Sequence, residues 1–320
     1  MHDYLDNVKA AKIVVTGAAG LVGQNLVLML STLGYSNVVA VDKHANNLRL
    51  LSRLNPGVRI VQADLALPGA WEHEMAGAQI VVVLHAQITG KTATLFIRNN
   101  IDASRLVFES IKSARVPYTL LISSSVVNSV AFDDYTITKK AQEKLFLESG
   151  LPGSVLRPTL MYGWFDPKHF GWLSRFMEKT PVFPIPGHGR FMRQPLYERD
   201  FCRVILWCLE HQPVGQGYDV VGHERVDYID IIRAIRDTKG LTTPIVRIPY
   251  RLFEWLLRTY ALLSDEPPFT ASQLKALTAG DDFVGVNIEQ TFGFQPTPFR
   301  EGIRETFCHP EYSKYVVERT

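Results

Sequence analysis

A chain of 320 residues with 46% hydrophobic content is long enough to bury one large core or two modest ones, which excludes a disordered class. Its 34 basic and 32 acidic residues leave a formal net charge of +2 without any basic block, so nothing suits tracking a phosphate backbone and no nucleic acid is expected as a partner. Cys202, Cys208 and Cys308 are too few for a disulfide framework, lack metal-ligand spacing, and fit buried thiols in a reducing compartment with no metal. MHDYLDNVKAAK lacks the apolar core of a signal peptide and no apolar run reaches bilayer length, so the expectation is a cytoplasmic protein without a transmembrane segment.

Lys12 to Thr16 is a β-branched run that stops at Gly17-Ala18-Ala19-Gly20-Leu21-Val22-Gly23, after which Leu26, Val27, Leu30 and Leu33 recur at helical spacing up to Gly34. In this strand, glycine turn and helix, Gly17 allows the tight turn, Gly20 lets a pyrophosphate approach the backbone and Gly23 permits close packing. The helix N-terminus at Leu21 and Val22 offers N–H groups to the anion. The next run, NVVAV, ends in Asp42, whose carboxylate can accept both ribose hydroxyls and repel a 2′-phosphate; this favours NAD, while nearby Lys43, His44, Arg49 and Arg53 leave NADP open. A helix N-cap is the alternative role for Asp42. Val58 to Gln62 leads into Asp64-Leu65, where a carboxylate can meet an adenine edge. Ile80 to Leu84 is a fully apolar strand of the kind that is covered on both faces of a parallel sheet.

From about Thr92 to Ala114 the spacing predicts a helix with Ile97, Ile101, Val107, Phe108 and Ile111 inward. Tyr118 to Ile122 is a fifth strand running into Ser123-Ser124-Ser125, at the end of the sheet where ligands of open α/β folds bind. One loop later come Tyr135 and Lys139, four residues apart on a helix capped by Asp133 or Asp134 and stopping near Gly150. A phenol is a poor base at neutral pH, and an ammonium fixed beside it is expected to lower its pKa and make proton exchange with a substrate hydroxyl feasible.

These motifs together resemble the extended branch of the short-chain dehydrogenase/reductases, the NAD-dependent epimerase/dehydratase family. The likeness rests on Thr16 to Gly23, Asp42, Asp64-Leu65, Leu84 to Gln87, Asn100, the serines, Tyr135-xxx-Lys139 with Glu143, Leu156-Arg157-Pro158, Tyr162-Gly163, Gly187 to Gly189, Arg193-Gln194-Pro195 and Asp200, covering roughly residues 11–225. The resemblance implies a doubly wound Rossmann-type α/β sheet with a smaller substrate domain. Residues 1–157, re-entered by about 200–225, would bind the dinucleotide; 158–199 and 226–320 would mainly bind substrate. It also implies that Tyr135 is the general acid/base, that Lys139 holds the nicotinamide ribose and tunes Tyr135, and that Ser124 holds the reacting oxygen. Alignment on the strand favours Ser125 for that last role, and alignment on the Tyr135 spacing favours Ser124 or Ser123. Ala86 and Pro158 join the cofactor residues, and Gln87, Ser125 and Arg193 the substrate residues, Arg193 against a diphosphate. A homodimer through the helices near 94–114 and 135–149 is expected on the same ground.

Three departures bear on the substrate. The stretch from Ser124 to Tyr135 is short for a nucleotide-sugar epimerase, Val127-Asn128-Ser129 replaces the usual Val-Tyr-Gly, and His85 stands where the family usually has alanine. Trp164 to Arg193 breaks the α/β rhythm, and Trp164, Trp172, Phe191 and Met192 are candidate pocket aromatics or plain core. The apolar stretch 249–264 is read first as a packed core helix, and second as one that lies on a membrane or covers a cleft. The leading expectation is an NAD(P)-dependent epimerase or keto-sugar reductase acting on a nucleotide sugar. The rivals are a hydroxysteroid-dehydrogenase-like enzyme and a non-catalytic nucleotide-binding subunit.

Overall fold

The run IVVT forms β1, Ile13–Thr16, at the centre of a parallel sheet in the computed structural model, which describes residues 8–130, 132–263, 274, 277–278 and 283–318, the side chains of 260–263 excepted. The other strands are β2 (Val38–Asp42), β3 (Arg59–Gln62), β4 (Ile80–Val83), β5 (Tyr118–Ile122), β6 (Gly153–Pro158) and β7 (Gly217–Val220), in the order β7-β6-β5-β4-β1-β2-β3. The helices are α1 (Leu21–Thr32), α2 (Ala45–Leu54), α3 (Ala103–Ala114), α4 (Asp134–Ser149), α5 (His169–Lys179), α6 (Glu198–His211), α7 (Tyr228–Thr238), α8 (Tyr250–Leu263) and α9 (Phe299–Cys308).

Strands β1, β2, β4 and β5 are buried along their whole length because helices cover both faces, and alternate residues serve the two covers. Ile13, Val15, Ile80, Val82 and Leu120 pack with Leu26 and Leu30 of α1 and Phe201, Val204 and Ile205 of α6. Val14, Val39, Val81, Val83 and Leu121 turn the other way, to Val107, Phe108 and Ile111 of α3 and Phe146 of α4. The chain goes from β1 outward to β2 and β3 and then returns to β4 on the other flank of β1, so a crevice opens above the carboxyl ends of β1 and β4. A second apolar cluster, with Tyr162, Phe170, Tyr197, Ile231, Ile235, Phe299 and Ile303, ties α5, α7 and α9 together beyond that crevice.

Three sequence expectations need correction here. The predicted inward face of the 92–114 helix fails at Ile97, which is 44% exposed, because Ile97–Asp102 is a π-helical turn. Its wider winding shifts the register and turns Asn99 and Asn100 inward instead. Helix α8 is not a packed core helix on its described side chains: Leu252, Trp255 and Leu256, at i, i+3 and i+4, are 48%, 59% and 42% exposed. The side chains of Tyr260, Leu262 and Leu263, read with that helix, and Ser264 lie outside the described residues. Cys202 and Cys208 are buried, but Cys308, at the end of α9, is exposed. Among the described residues no helix is long and apolar enough to cross a membrane.

Candidate active site

The glycine turn between β1 and α1 has three distinct local environments. Gly17 has φ +68°, and a Cβ there would lie 2.5 Å from the backbone nitrogen of His85. A Cβ on Gly23 would lie 2.4 Å from the Ala18 carbonyl oxygen, so this glycine lets α1 close against its own loop. Gly20 is different: the nearest atom to an added Cβ is the Gly17 carbonyl at 3.4 Å, which leaves its backbone approachable. No side chain caps α1, so its N-terminal dipole faces the crevice together with Leu21 and Val22.

Asp42 closes β2 and is 7% exposed. Its carboxylate accepts Ala19 N–H and His44 N–H, each at 3.0 Å, which fixes it against the glycine turn; the residue capping α2 is His44, so Asp42 is not that helix's N-cap. Asp64 accepts Ala66 N–H at 3.0 Å and pairs with the Arg98 guanidinium at 2.7 Å, which holds it at the far end of the same crevice as Leu65. These groups suit NAD: an approachable backbone and an uncapped helix end for the pyrophosphate, and a fixed carboxylate with lone pairs left for ribose hydroxyls.

Opposite this end, the Asp133 carboxylate caps α4 by accepting Thr136 N–H at 2.9 Å, and Gly150 ends the helix in the left-handed conformation. Tyr135 and Lys139 therefore leave the first turns of a well-anchored helix. The Ser124 hydroxyl stands near the Tyr135 phenol and acts to lower its pKa, while Ser123 Oγ is buried without a partner and Ser125 lines the crevice. The expected tuning of Tyr135 is not what the structure has. Burial pushes the phenol pKa up, and the Asp133 carboxylate adds to this, with only the Ser124 hydroxyl opposing them. Lys139, 1% exposed, is itself pulled down to about 7 by burial, against the opposing field of Glu143. Its ammonium donates to the Ile122 carbonyl at 3.0 Å and to Gln142 Oε1, so the side chain runs toward the end of β5.

The segment after β4 is held by the π-turn. Asn100 accepts Gln87 N–H at 2.6 Å and donates to the Gln87 carbonyl at 3.1 Å and to Thr138 on α4 at 3.0 Å. Asn99 donates to Gln87 Oε1 at 2.7 Å, and Gln87 in turn donates to the Thr89 carbonyl, so the Gln87 amide holds the loop rather than standing free in the crevice. Wider π-turns of this kind recur at functional sites.

One cleft of about 470 Å³ is lined from Gly17, Gly20, Asp42 and Asp64 past Ala86, Gln87, Ser124, Tyr135, Lys139 and Pro158 to Arg193. Arg193 is 9% exposed and lies on a short strand paired antiparallel with Val226–Asp227. The far wall holds residues that sequence reading passed over: Met161, Lys168, His169 and Phe283. Val317 and Glu318 arrive at the cofactor end because the Glu318 backbone is clasped by the Asn47 side chain, 2.8 Å and 3.2 Å. No local signal near Asp42 points to partners about 270 positions away. The three candidate aromatics Trp164, Trp172 and Phe191 and the methionine Met192 are not in the lining; Trp164 packs edge-on against His309 and tilted against Tyr312 instead.

The seven-stranded parallel sheet with its glycine turn defines a Rossmann-type dinucleotide-binding protein. Residues 13–221 match the model of the NAD dependent epimerase/dehydratase family, and the chain belongs to that family of NAD-dependent enzymes. It is 24% identical over 247 residues to the ceramide reductase of Caulobacter vibrioides, covering 74% of this chain and 73% of the relative. It is 22% identical over 328 residues to the UDP-glucose 4-epimerase of Vibrio cholerae, with 92% and 94% covered. Among solved structures it is similar to the UDP-glucose 4-epimerase of Thermotoga maritima with UDP-glucose, at TM-score 0.72, 19% identity and coverage of 92% and 97%.

Proposed function

We propose that the chain catalyses oxidation or reduction of a secondary alcohol or ketone on a nucleotide-activated sugar, as an epimerase or a keto-sugar reductase. The observation that carries this reading is the convergence of Ser124, Tyr135 and Lys139 with the glycine turn in one cleft that also holds Arg193. NAD, held by the Gly17–Gly23 turn, Asp42 and the Asp64 end, supplies hydride acceptance and donation.

Within that cleft the chain's own groups move and hold a proton. Ser124 and Tyr135 together fix the substrate oxygen, with Tyr135 exchanging the proton there. Because burial raises the phenol, Tyr135 rests protonated and is ready to donate to a carbonyl oxygen; in the oxidative direction the same oxygen atom must lose its proton to the phenolate form. Lys139, buried and donor-rich, is placed to hold the adjacent ribose. Arg193 supports a diphosphate by its planar fork, and Lys168 adds a second positive charge to the same lining. We also propose the dimer through the helices near 94–114 and 135–149; Ile97 and Leu147, 44% and 63% exposed, support it.

A second reading, an apolar alcohol or ketone such as a lipid or steroid, is favoured by Ile88, Val126, Met161 and Phe283 in the same wall. It draws support too from the ceramide reductase relative. Binding of UDP- and dTDP-sugars, measured by calorimetry with and without NAD, separates the two. Loss of that binding in Arg193→Ala supports the diphosphate. An unchanged affinity in Arg193→Ala, or no sugar-nucleotide binding at all, removes the first reading.

A further inference from the structure

His85 occupies a position that the proposed chemistry does not use, yet its ring is tied at both nitrogens. Nδ1 lies 2.9 Å from Thr16 Oγ1, and Nε2 lies 3.0 Å from Ser104 Oγ on α3. Ser104 Oγ in turn accepts Gln142 Nε2–H at 2.7 Å, and Gln142 Oε1 accepts the Lys139 ammonium. Ser104 is 0% exposed, Gln142 0% and Lys139 1%, so no solvent is at hand to satisfy the links among these three, while the half-buried His85 also lines the cleft.

The direction of the links at the lysine end follows from the donors available. The lysine can only donate when charged, so Gln142 presents its oxygen there and its NH₂ to Ser104. In the arrangement proposed below, the Ser104 hydroxyl uses one of its two lone pairs for Gln142 and turns its single proton to His85 Nε2. That nitrogen is then the acceptor, which places the imidazole proton on Nδ1, donating to Thr16 Oγ1. The Thr16 hydroxyl ends the series on the Val82 carbonyl in a long 3.5 Å contact. Each group thus turns its acceptor toward Lys139 and its donor away from it.

We propose that His85, acting through Ser104 and Gln142, is a positioning residue for Lys139: a one-way series of hydrogen bonds, anchored on β1 and β4, aims the lysine and favours its charged form. The series couples strand β1, the segment after β4, and helices α3 and α4, so a side chain at the start of the glycine turn reaches the lysine of the reacting end. The series depends on a neutral imidazole. Burial, with the charges of Lys139 and Lys43 nearby, depresses the His85 pKa to about 3, which keeps the ring neutral. An imidazolium would have to donate from Nε2 as well, and would reverse the Ser104 link. The charged groups around the pair are Lys43 from the end of β2, Glu143 on α4, and Lys139 itself.

For turnover the proposal rests on the catalytic reading of Lys139; for its geometry it does not. The first test is ¹⁵N NMR of histidine-labelled protein, with the His85 signals identified by their loss in His85→Gln. An Nδ1–H tautomer that stays neutral between about pH 8 and 5 is expected; an Nε2–H tautomer, or an imidazolium in that range, overturns the proposal. The second is titration of Lys139 by ¹³Cε-lysine NMR, the signal identified by Lys139→Met. Ser104→Ala and His85→Ala are expected to lower its midpoint by roughly half to one unit, the size of one lost hydrogen bond. His85→Gln, which keeps an acceptor for Ser104, is expected to restore most of it. Unchanged midpoints in both alanine variants overturn the proposal, and Ser104→Ala keeps it testable should His85→Ala not fold. If the midpoints shift while the pH dependence of kcat is the same in every variant, the positioning stands and the catalytic reading of Lys139 falls.

Discussion

The two ends of the cleft are built from different materials. The cofactor end is made mostly of backbone: a left-handed glycine and an uncapped helix N-terminus, with one side-chain carboxylate, Asp42, pinned by two backbone N–H groups within 25 residues of the turn. The reacting end is made of side chains brought from four elements, Ser124, Tyr135, Lys139 and the Gln142–Ser104–His85 series. A backbone site tolerates changes of side chain and fails when a Cβ is added, whereas a side-chain site keeps its fold and fails when one polar atom is removed.

The largest expected effect belongs to the reacting end. Removing the phenolic oxygen in Tyr135→Phe should lower kcat by about 10²–10⁴-fold, the usual contribution of a positioned acid/base group, with NAD affinity nearly unchanged. Steady-state kinetics and NAD titration on the same preparation check this. Native turnover in the mutant would show that the proton at the reacting oxygen comes from elsewhere.

At the cofactor end the three glycines should separate. Gly17→Ala and Gly23→Ala force a Cβ to 2.5 Å and 2.4 Å from backbone atoms that no rotamer can clear, and each should cost more than about 2 kcal/mol in denaturant unfolding. Gly20→Ala meets its nearest atom at 3.4 Å, so the fold should stay within about 0.5 kcal/mol of native while NAD binding weakens. Equal destabilisation by all three would mean that Gly20 is as much a packing residue as the others, and the contrast would be lost.

How much of this could be read from the chain follows the same division. The glycine turn, Asp42 at the end of its strand and the strand runs were legible because their determinants are local: spacing, β-branched runs, and an acidic residue a fixed distance on. Tyr135 and Lys139 were legible as a pair on a helix, but the direction of the lysine was not, since Gln142 and the Ile122 carbonyl compete for its ammonium only once α4 lies on β5. The inward turn of Asn99 and Asn100 was missed because a π-turn breaks the 3.6-residue period on which the prediction of Ile97 rests. Ser104 and Gln142 have no motif at all. They are ordinary helix residues until packing sets them 2.7 Å apart, 38 positions distant in sequence.

The buried lysine gives the comparison a pH signature. Lys139 has a folded-state pKa near 7 and an unfolded value near 10.5, so between these pH values the unfolded chain binds the extra proton. The penalty for burying the charge is therefore absent above the unfolded value, grows as pH falls toward 7, and is constant below it. Native stability relative to Lys139→Met should rise from about pH 7 to 9, read as a change in the difference between their urea midpoints. A parallel pair of curves would place the ammonium in a solvated setting that the 1% exposure does not allow.

The smallest effect is expected on the outer face of α8, where Trp255 is 59% exposed and Leu252 48%. Trp255→Ser should change stability by no more than about 0.5 kcal/mol, because the side chain already gives up little water-accessible surface on folding. Trp71, 2% exposed in the core, supplies the contrast: its truncation to alanine should cost about 3–5 kcal/mol. Thermal and urea unfolding of the two variants side by side check this. A Trp255→Ser loss approaching that of Trp71→Ala would mean that the α8 face is covered in solution, and its exposed area would then belong to the stability of the fold rather than to its surface.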